Sequence, residues 1–243
     1  MSKKVIYFNW KMNPSSLAEA RRIASAVKKS AGRGKVKTVL IPPFPYLYGL
    51  APLTSSYCAL GAQDVSLHKD GAFTGQVSAT MVKKAGASYA IVGHSKRRYG
   101  LGEDDATVAK KAAAAQKARL VPIICVGEKS IMSFARAQMT IVRQLYAVLP
   151  VIKAKRVVIA YEPVWAIGGH KRTNAERAVK IITAIKDMVQ RRAKKRVSVL
   201  YGGSINIGNI EKFLQYDIID GFLVGSASVR TKEAVAIVEK VAE

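Results

Sequence analysis

Val157-Val158-Ile159-Ala160-Tyr161-Glu162-Pro163-Val164-Trp165-Ala166-Ile167-Gly168-Gly169 holds the pattern that decides the fold. A β-branched run suits a pleated, buried strand. It ends in a carboxylate, Glu162, and Pro163 then blocks helical continuation. An apolar loop tipped with glycines follows. The same grammar recurs along the chain. Eight apolar, strand-like runs follow one another at a spacing of roughly thirty residues, and the unusual polar residues cluster just after each run.

Working outward from that stretch, strands are predicted over 5–9, 38–41, 57–62, 89–92, 121–126, 157–161, 197–201 and 222–224. Helical patterns fill the gaps: 17–29, 78–85, 105–118, 131–148, 174–191, 207–214 and 232–241, with short helices near Tyr46 and after Ser95. Ser15 or Ser16 and Asn174 are natural N-caps. Continuous apolar strands alternating with helices mean a parallel sheet covered on both faces. Eight such units can close into a (β/α)8 barrel, an α/β fold that commonly occupies about this length as one domain. We therefore expect one domain over residues 1–243. An open, doubly wound sheet is the alternative, but no strand is followed by the glycine pattern of a dinucleotide-binding turn.

The chain has 243 residues, 49% of them hydrophobic, enough for a large core. No apolar stretch reaches the roughly twenty residues of a membrane-spanning helix. The N-terminus runs straight into a strand, unlike a signal peptide. Cys58 and Cys125 both lie in apolar strand runs, which suits a reducing compartment and offers no metal-ligand spacing. A soluble, cytoplasmic protein is expected. The charge is unusual: 40 Lys+Arg against 16 Asp+Glu, a formal net of +24. Most basic runs fall on helices or helix ends and read as solvated surface. Nucleic-acid binding, anionic-surface binding and steering of an anionic substrate are the sharper readings. No aromatic residues interleave with the basic runs to stack on bases, so nucleic-acid binding is not expected despite the charge.

If the barrel closes, four features meet at the C-terminal ends of its strands, where this fold does chemistry. Strand one ends Asn9-Trp10-Lys11-Met12-Asn13. A fixed cation at Lys11 could hold a phosphate and stabilise charge on a substrate oxygen. Strand four ends at His94, before Ser95 and a short helix; the positive end of the helix dipole favours neutral imidazole there. The other two histidines, His68 and His170, lie in loops. Glu162 is the candidate base, and its loop joins a stiff apolar start to Gly168-Gly169, the composition of a water-excluding lid. Strands seven and eight end in Gly202-Gly203-Ser204 and Gly225-Ser226, where backbone N–H groups can approach an anion. A neutral histidine, a carboxylate base, a lysine and a phosphate nest fit proton shuttling beside the carbonyl of a small phosphorylated sugar. No metal or redox cofactor is called for.

These residues resemble the triosephosphate isomerase family. The matching segments are Asn9 to Asn13, Gly71-Ala72-Phe73-Thr74-Gly75, Gly93-His94-Ser95, Cys125-Val126-Gly127-Glu128, Ala160 to Gly168, Tyr201-Gly202-Gly203-Ser204 and Leu223-Val224-Gly225. They occur in order and span nearly the whole chain. The resemblance implies a TIM barrel that interconverts dihydroxyacetone phosphate and D-glyceraldehyde 3-phosphate through an enediol(ate), in glycolysis and gluconeogenesis, without a cofactor. Glu162 would be the base and neutral His94 the electrophile. Lys11 would stabilise negative charge and Asn9 would contact substrate oxygens. Backbone N–H groups of Gly168, Ser204, Gly225 and Ser226 would hold the phosphate. The segment from Pro163 to about Lys171 would be the lid, with Ile167 and Leu223 clamping over Glu162. The neutral histidine and the closing loop are established devices of this family and come with the resemblance, not from spacing. A homodimer is implied through the loop around Phe73-Thr74-Gly75.

The chain departs from the family pattern at Lys96, where glutamate is usual, at Gln76, also usually glutamate, in the lid at Gly169-His170, and at Ser226. In the family the glutamate after His-Ser lies beside the catalytic lysine. Here that neighbour of Lys11 is a cation, so the Lys96 amine is expected to turn to solvent or to another carboxylate. Another phosphate-binding barrel, such as a lyase or synthase, and a basic barrel that only binds polyanions are the competing functions.

Overall fold

The computed structural model describes residues 4–167 and 174–243. Eight parallel strands pair in sequence order and close: β1 (Val5–Asn9), β2 (Thr38–Ile41), β3 (Cys58–Ala62), β4 (Tyr89–Val92), β5 (Val121–Val126), β6 (Arg156–Tyr161), β7 (Arg196–Tyr201) and β8 (Gly221–Val224). The closing pair, β1 with β8, runs in register from Val5 opposite Gly221 to Phe8 opposite Val224. The (β/α)8 barrel is therefore the architecture, and the open sheet is excluded.

Strand alternation sorts the core into two layers. Tyr7, Val39, Ile41, Ile91, Ile123, Cys125, Val158, Ala160, Leu200 and Leu223 fill the barrel interior. Their neighbours in sequence, among them Ile6, Phe8, Leu40, Ile124, Ile159 and Tyr201, face the helices in a second, larger cluster. This is why the strands carry no polar alternation: both faces are buried.

Nine α-helices lie among the described residues: α1 (Leu17–Gly34), α2 (Leu47–Leu50), α3 (Ala79–Lys84), α4 (Ser95–Gly100), α5 (Asp105–Lys117), α6 (Phe134–Val148), α7 (Ala175–Ala193), α8 (Glu211–Leu214) and α9 (Thr231–Ala242). Side-chain oxygens of Ser16, Ser78, Asp104, Ser133 and Asn174 accept backbone N–H groups at five of the starts. Such caps contribute about 1 kcal/mol each.

Helix α1 runs on to Gly34, past the expected end at 29, and two helix starts differ by more than one residue for local reasons. Helix α6 begins at Phe134, not at 131, because Ser133 caps it and leaves Ile131 exposed. The α8 region winds into helix only at Glu211. Before it, Asn209 Oδ1 accepts the Asn206 N–H at 3.0 Å and Asn209 Nδ2 donates to the Ser204 carbonyl at 2.9 Å, which makes a turn. Among the described residues, no helix is long and apolar enough to cross a membrane.

Candidate active site

Parallel strands put all their C-terminal ends on one face. A cavity of about 530 Å³ opens there, and Asn9, Lys11, His94, Glu162, Ser204, Gly225 and Ser226 all line it. Ile167 and Leu223 border it too, with Lys96 and Arg230. Gly168 lies outside the described residues, as does the segment through Thr173, which includes the expected lid from Gly168 onward.

His94 is placed by the turn between β4 and α4. Gly93 takes φ +68°, and a Cβ there would meet Val108 at 2.8 Å and Arg98 Nε at 3.0 Å. Both the backbone and the space therefore favour glycine. Arg98 secures the turn, donating from Nε to the Gly93 carbonyl at 2.9 Å and pairing with Asp105 at 2.6 Å. The Lys96 N–H points at His94 Nδ1 at 3.2 Å. An Nδ1 that accepts this N–H presents its lone pair, the arrangement of an Nε2–H tautomer. His94 Nε2 in turn stands 3.2 Å from Glu162 Oε1.

Glu162 follows β6, its N–H bonded to the Val126 carbonyl at 2.8 Å. The backbones cross so closely that a Cβ on Gly127 would sit 2.0 Å from the Glu162 carbonyl oxygen. Glu162 is only 3% exposed, and His94 8%. Glu162 Oε2 accepts the Ser95 N–H at 3.0 Å, so the start of α4 cradles the charge. Beside it lies the thiol of Cys125, which burial, reinforced by the neighbouring Glu162 charge, pushes well above its usual range. It stays a neutral filler of the barrel.

Lys11 adopts φ +54°, an uncommon conformation for a lysine. Two contacts hold it there. Its N–H donates to Asn9 Oδ1 at 3.1 Å, and its carbonyl accepts from Gln63 Nε2 at 2.6 Å. Gln63 also reaches the Ile41 carbonyl at 3.2 Å, which ties the turn to β2. The amine overlies the turn after β8: a methyl on Gly225 would stand 3.3 Å from Lys11 Nζ. Burial lowers the Lys11 pKa, Glu162 opposes that shift, and the Lys96 charge adds to it. Lys96 itself is exposed, as expected, and among the described residues it makes no ion pair.

Sequence reasoning missed Gln63 and the role of Glu128. Glu128 is fully buried; its Oε1 accepts from Tyr161 Oη and Trp165 Nε1, both at 3.1 Å, and from Arg177 at 3.4 Å. It thereby pins the first turn of the loop after β6. A carboxylate two residues past the end of β5, at the same face as Glu162, was the available signal. Among the described residues, no group of three or more His, Cys, Asp or Glu side chains could hold a metal.

Fold and site together define a barrel with a buried glutamate–histidine pair, a lysine and small-residue turns at the C-terminal mouth. The family model described as triosephosphate isomerase matches residues 4–241. The chain is 42% identical to the triosephosphate isomerase of Cupriavidus necator, over 98% of this chain and 99% of that protein. It is 41% identical to that of Thiobacillus denitrificans over 98% of each. It is 40% identical to that of Halorhodospira halophila over the whole of both chains. The chain belongs to the triosephosphate isomerase family.

Proposed function

We propose that this protein interconverts dihydroxyacetone phosphate and D-glyceraldehyde 3-phosphate by proton transfer through an enediol(ate). The observation that carries the proposal is His94, its Nδ1 facing the Lys96 N–H, beside buried Glu162 in a cavity that also contains Lys11. Glu162 removes a proton from the carbon beside the carbonyl and returns it to the neighbouring carbon. His94 Nε2–H donates to the carbonyl oxygen and moves the proton between the two oxygens. Lys11 offsets the negative charge that develops there, and Asn9 contacts the substrate oxygens. Backbone N–H groups of Ser204, Gly225, Ser226 and Gly168 hold the phosphate, with Ile167 and Leu223 keeping Glu162 dry.

Substrate must break the resting contacts to do this. The His94 Nε2–H that now serves Glu162 turns to the substrate carbonyl, and Glu162 leaves the Ser95 N–H to face carbon. This exchange places both groups on the reacting atoms.

The protein acts as a single domain of glycolysis and gluconeogenesis in the cytoplasm, a location supported by two free, buried cysteines. It works as a homodimer through the loop around Phe73-Thr74-Gly75. Supporting this are Phe73, exposed at the tip of that loop, and Met12, 92% exposed beside Lys11, apolar groups that a partner would cover. No nucleic acid or membrane partner is needed. A coupled assay with glyceraldehyde 3-phosphate tests the activity: turnover that is lost in Glu162→Gln supports it, and no turnover in the wild type overturns it.

A further inference from the structure

The face opposite the active site carries the chain's strand starts and helix ends, and its charge is not evenly spread. Where β6 and β7 begin, two neighbouring turns contribute Lys153, Lys155 and Arg156 on one side and Lys194, Lys195 and Arg196 on the other. The turns touch: Arg156 and Arg196 are cross-strand partners, the Arg196 N–H donates to the Lys155 carbonyl at 3.0 Å, and Lys195 Nζ donates to the Ala154 carbonyl at 3.1 Å. Arg156 reaches the Ser198 hydroxyl at 3.0 Å, a neutral partner. Among the described residues none of the six cations has an ion-pair partner. The nearby carboxylate, Asp220, is taken up by Lys186 at 2.8 Å and by the Val199 N–H at 2.7 Å. Between α7 and β7 the surface is concave, a cleft of about 560 Å³ lined by Lys186, Gln190, Lys194, Lys195, Arg196 and Val197.

This arrangement costs stability. Like charges directly across a strand pair are destabilising. Lys194 sits at φ +50° just past α7, a place that glycine or asparagine fills at less strain. An anion in the cleft would relieve the repulsion and give the ammonium groups a charged partner.

We propose that this cleft, together with the adjoining turn that carries Lys153, Lys155 and Arg156 outside it, binds a linear chain of phosphates, as in inorganic polyphosphate. A single phosphate meets two or three cations and leaves the rest unsatisfied, whereas a chain spans both turns. The residues lining the cleft include no aromatic group, so bases would find nothing to stack on. None of the exposed large hydrophobic side chains falls in 153–156 or 194–197, so the site has no means of inserting into a lipid surface.

The test is calorimetric titration of the full-length protein with short-chain inorganic polyphosphate at several salt concentrations. Two quadruple variants lower the net charge equally. One, Lys153→Gln/Lys155→Gln/Lys194→Gln/Arg196→Gln, removes cations of the two turns. The other, Lys29→Gln/Lys83→Gln/Lys84→Gln/Lys212→Gln, removes lysines elsewhere. Circular dichroism and unchanged turnover establish that both are folded. We expect the first to lose at least about tenfold in affinity, with a log–log salt slope shallower by about three, and the second to stay within about threefold. Equal losses in both variants, or no binding by the wild type, would overturn the proposal. So would equally tight binding of inorganic monophosphate, or of an oligodeoxynucleotide matched in charge.

Discussion

The Lys96 backbone N–H donates to His94 Nδ1 at 3.2 Å, while the ammonium of the same residue adds to the lowering of the Lys11 pKa that burial chiefly causes. The backbone contribution is independent of side-chain identity, because any residue except proline supplies that N–H. The charge is specific to this side chain, and it opposes the fixed cation at the barrel mouth. The two contributions can therefore be separated by substitution.

Glu162→Gln should leave the fold intact and remove nearly all turnover. A carboxamide keeps the shape and can accept the Ser95 N–H, but it cannot take a proton from carbon. General bases contribute about 10²–10⁴-fold, and a desolvated one can exceed that. Steady-state assays with matched circular dichroism check this. A kcat within a few-fold of wild type would remove Glu162 from the role of base.

Phosphoglycolate should bind more tightly than inorganic phosphate, since its carboxylate resembles the enediolate and engages Lys11 and His94 as well as the turns after β7 and β8. Titration of both ligands, followed by a crystal structure of the complex, is the measurement. A phosphate found away from Ser204, Gly225 and Ser226 refutes the placement.

Much of this site can be read from the chain because Asn9, Lys11, His94, Glu162, Gly225 and Ser226 stand within two residues of a strand's end, where the barrel itself does the positioning. Asn9, His94 and Glu162 need only the strand pattern and the rule that the ends share a face. Lys11 is different. Its left-handed backbone depends on Gln63, far along the chain and tied to Lys11 only after β1, β2 and β3 have paired. Glu128 is hidden for the same reason: its donors come from β6, the loop after it, and α7. Caps are easier to place than helix lengths. Ser16 and Asn174 carry local signals, whereas the start of α8 is decided by the Asn206–Asn209 turn.

Activity should fall on the alkaline side at a pH below the ordinary lysine value of 10.5, as Lys11 loses its proton. Burial is the main cause of the lowered value and Lys96 a further one. The sign for stability is opposite to that for activity. A lysine whose folded pKa is depressed binds its proton less readily when folded, so its contribution to stability improves as pH rises from the folded value towards 10.5. The pH profile of kcat/KM gives the alkaline limb, and Lys96→Glu should move it upward. A limb that does not move means Lys96 is too well screened to matter.

The association step should depend on salt. A surface with net charge +24 attracts a dianionic substrate, and salt screens that field within about 8 Å at 0.15 M. We expect kcat/KM to fall with ionic strength more steeply than in a near-neutral member of the family. A flat profile would place the effective charge away from the mouth, as the concentration of cations at the starts of β6 and β7 allows.

Lys96→Glu carries the greatest risk and the clearest reading. Two ammonium groups at about 4 Å and an effective dielectric near 20 repel by about 4 kcal/mol before relaxation. Lys96 is exposed and, among the described residues, without an ion pair, yet it lines the same cavity as Lys11 and its charge acts on that amine. The amine of Lys11 is left with a repulsive neighbour in place of an anchoring one, although Asn9 and Gln63 secure its backbone. A carboxylate at this position would attract the ammonium and limit its motion. An interaction of about 1.4 kcal/mol made only in the transition state raises the rate about tenfold, and a partly exposed pair delivers less. We therefore expect kcat to rise by a few-fold, with KM changing little. The backbone N–H to His94 Nδ1 is retained in the variant, so the histidine tautomer is not perturbed. Comparing kcat for wild type, Lys96→Glu and Lys96→Met separates gain of attraction from loss of repulsion. If both variants are equal to wild type or slower, Asn9 and Gln63 already hold Lys11 in its working position.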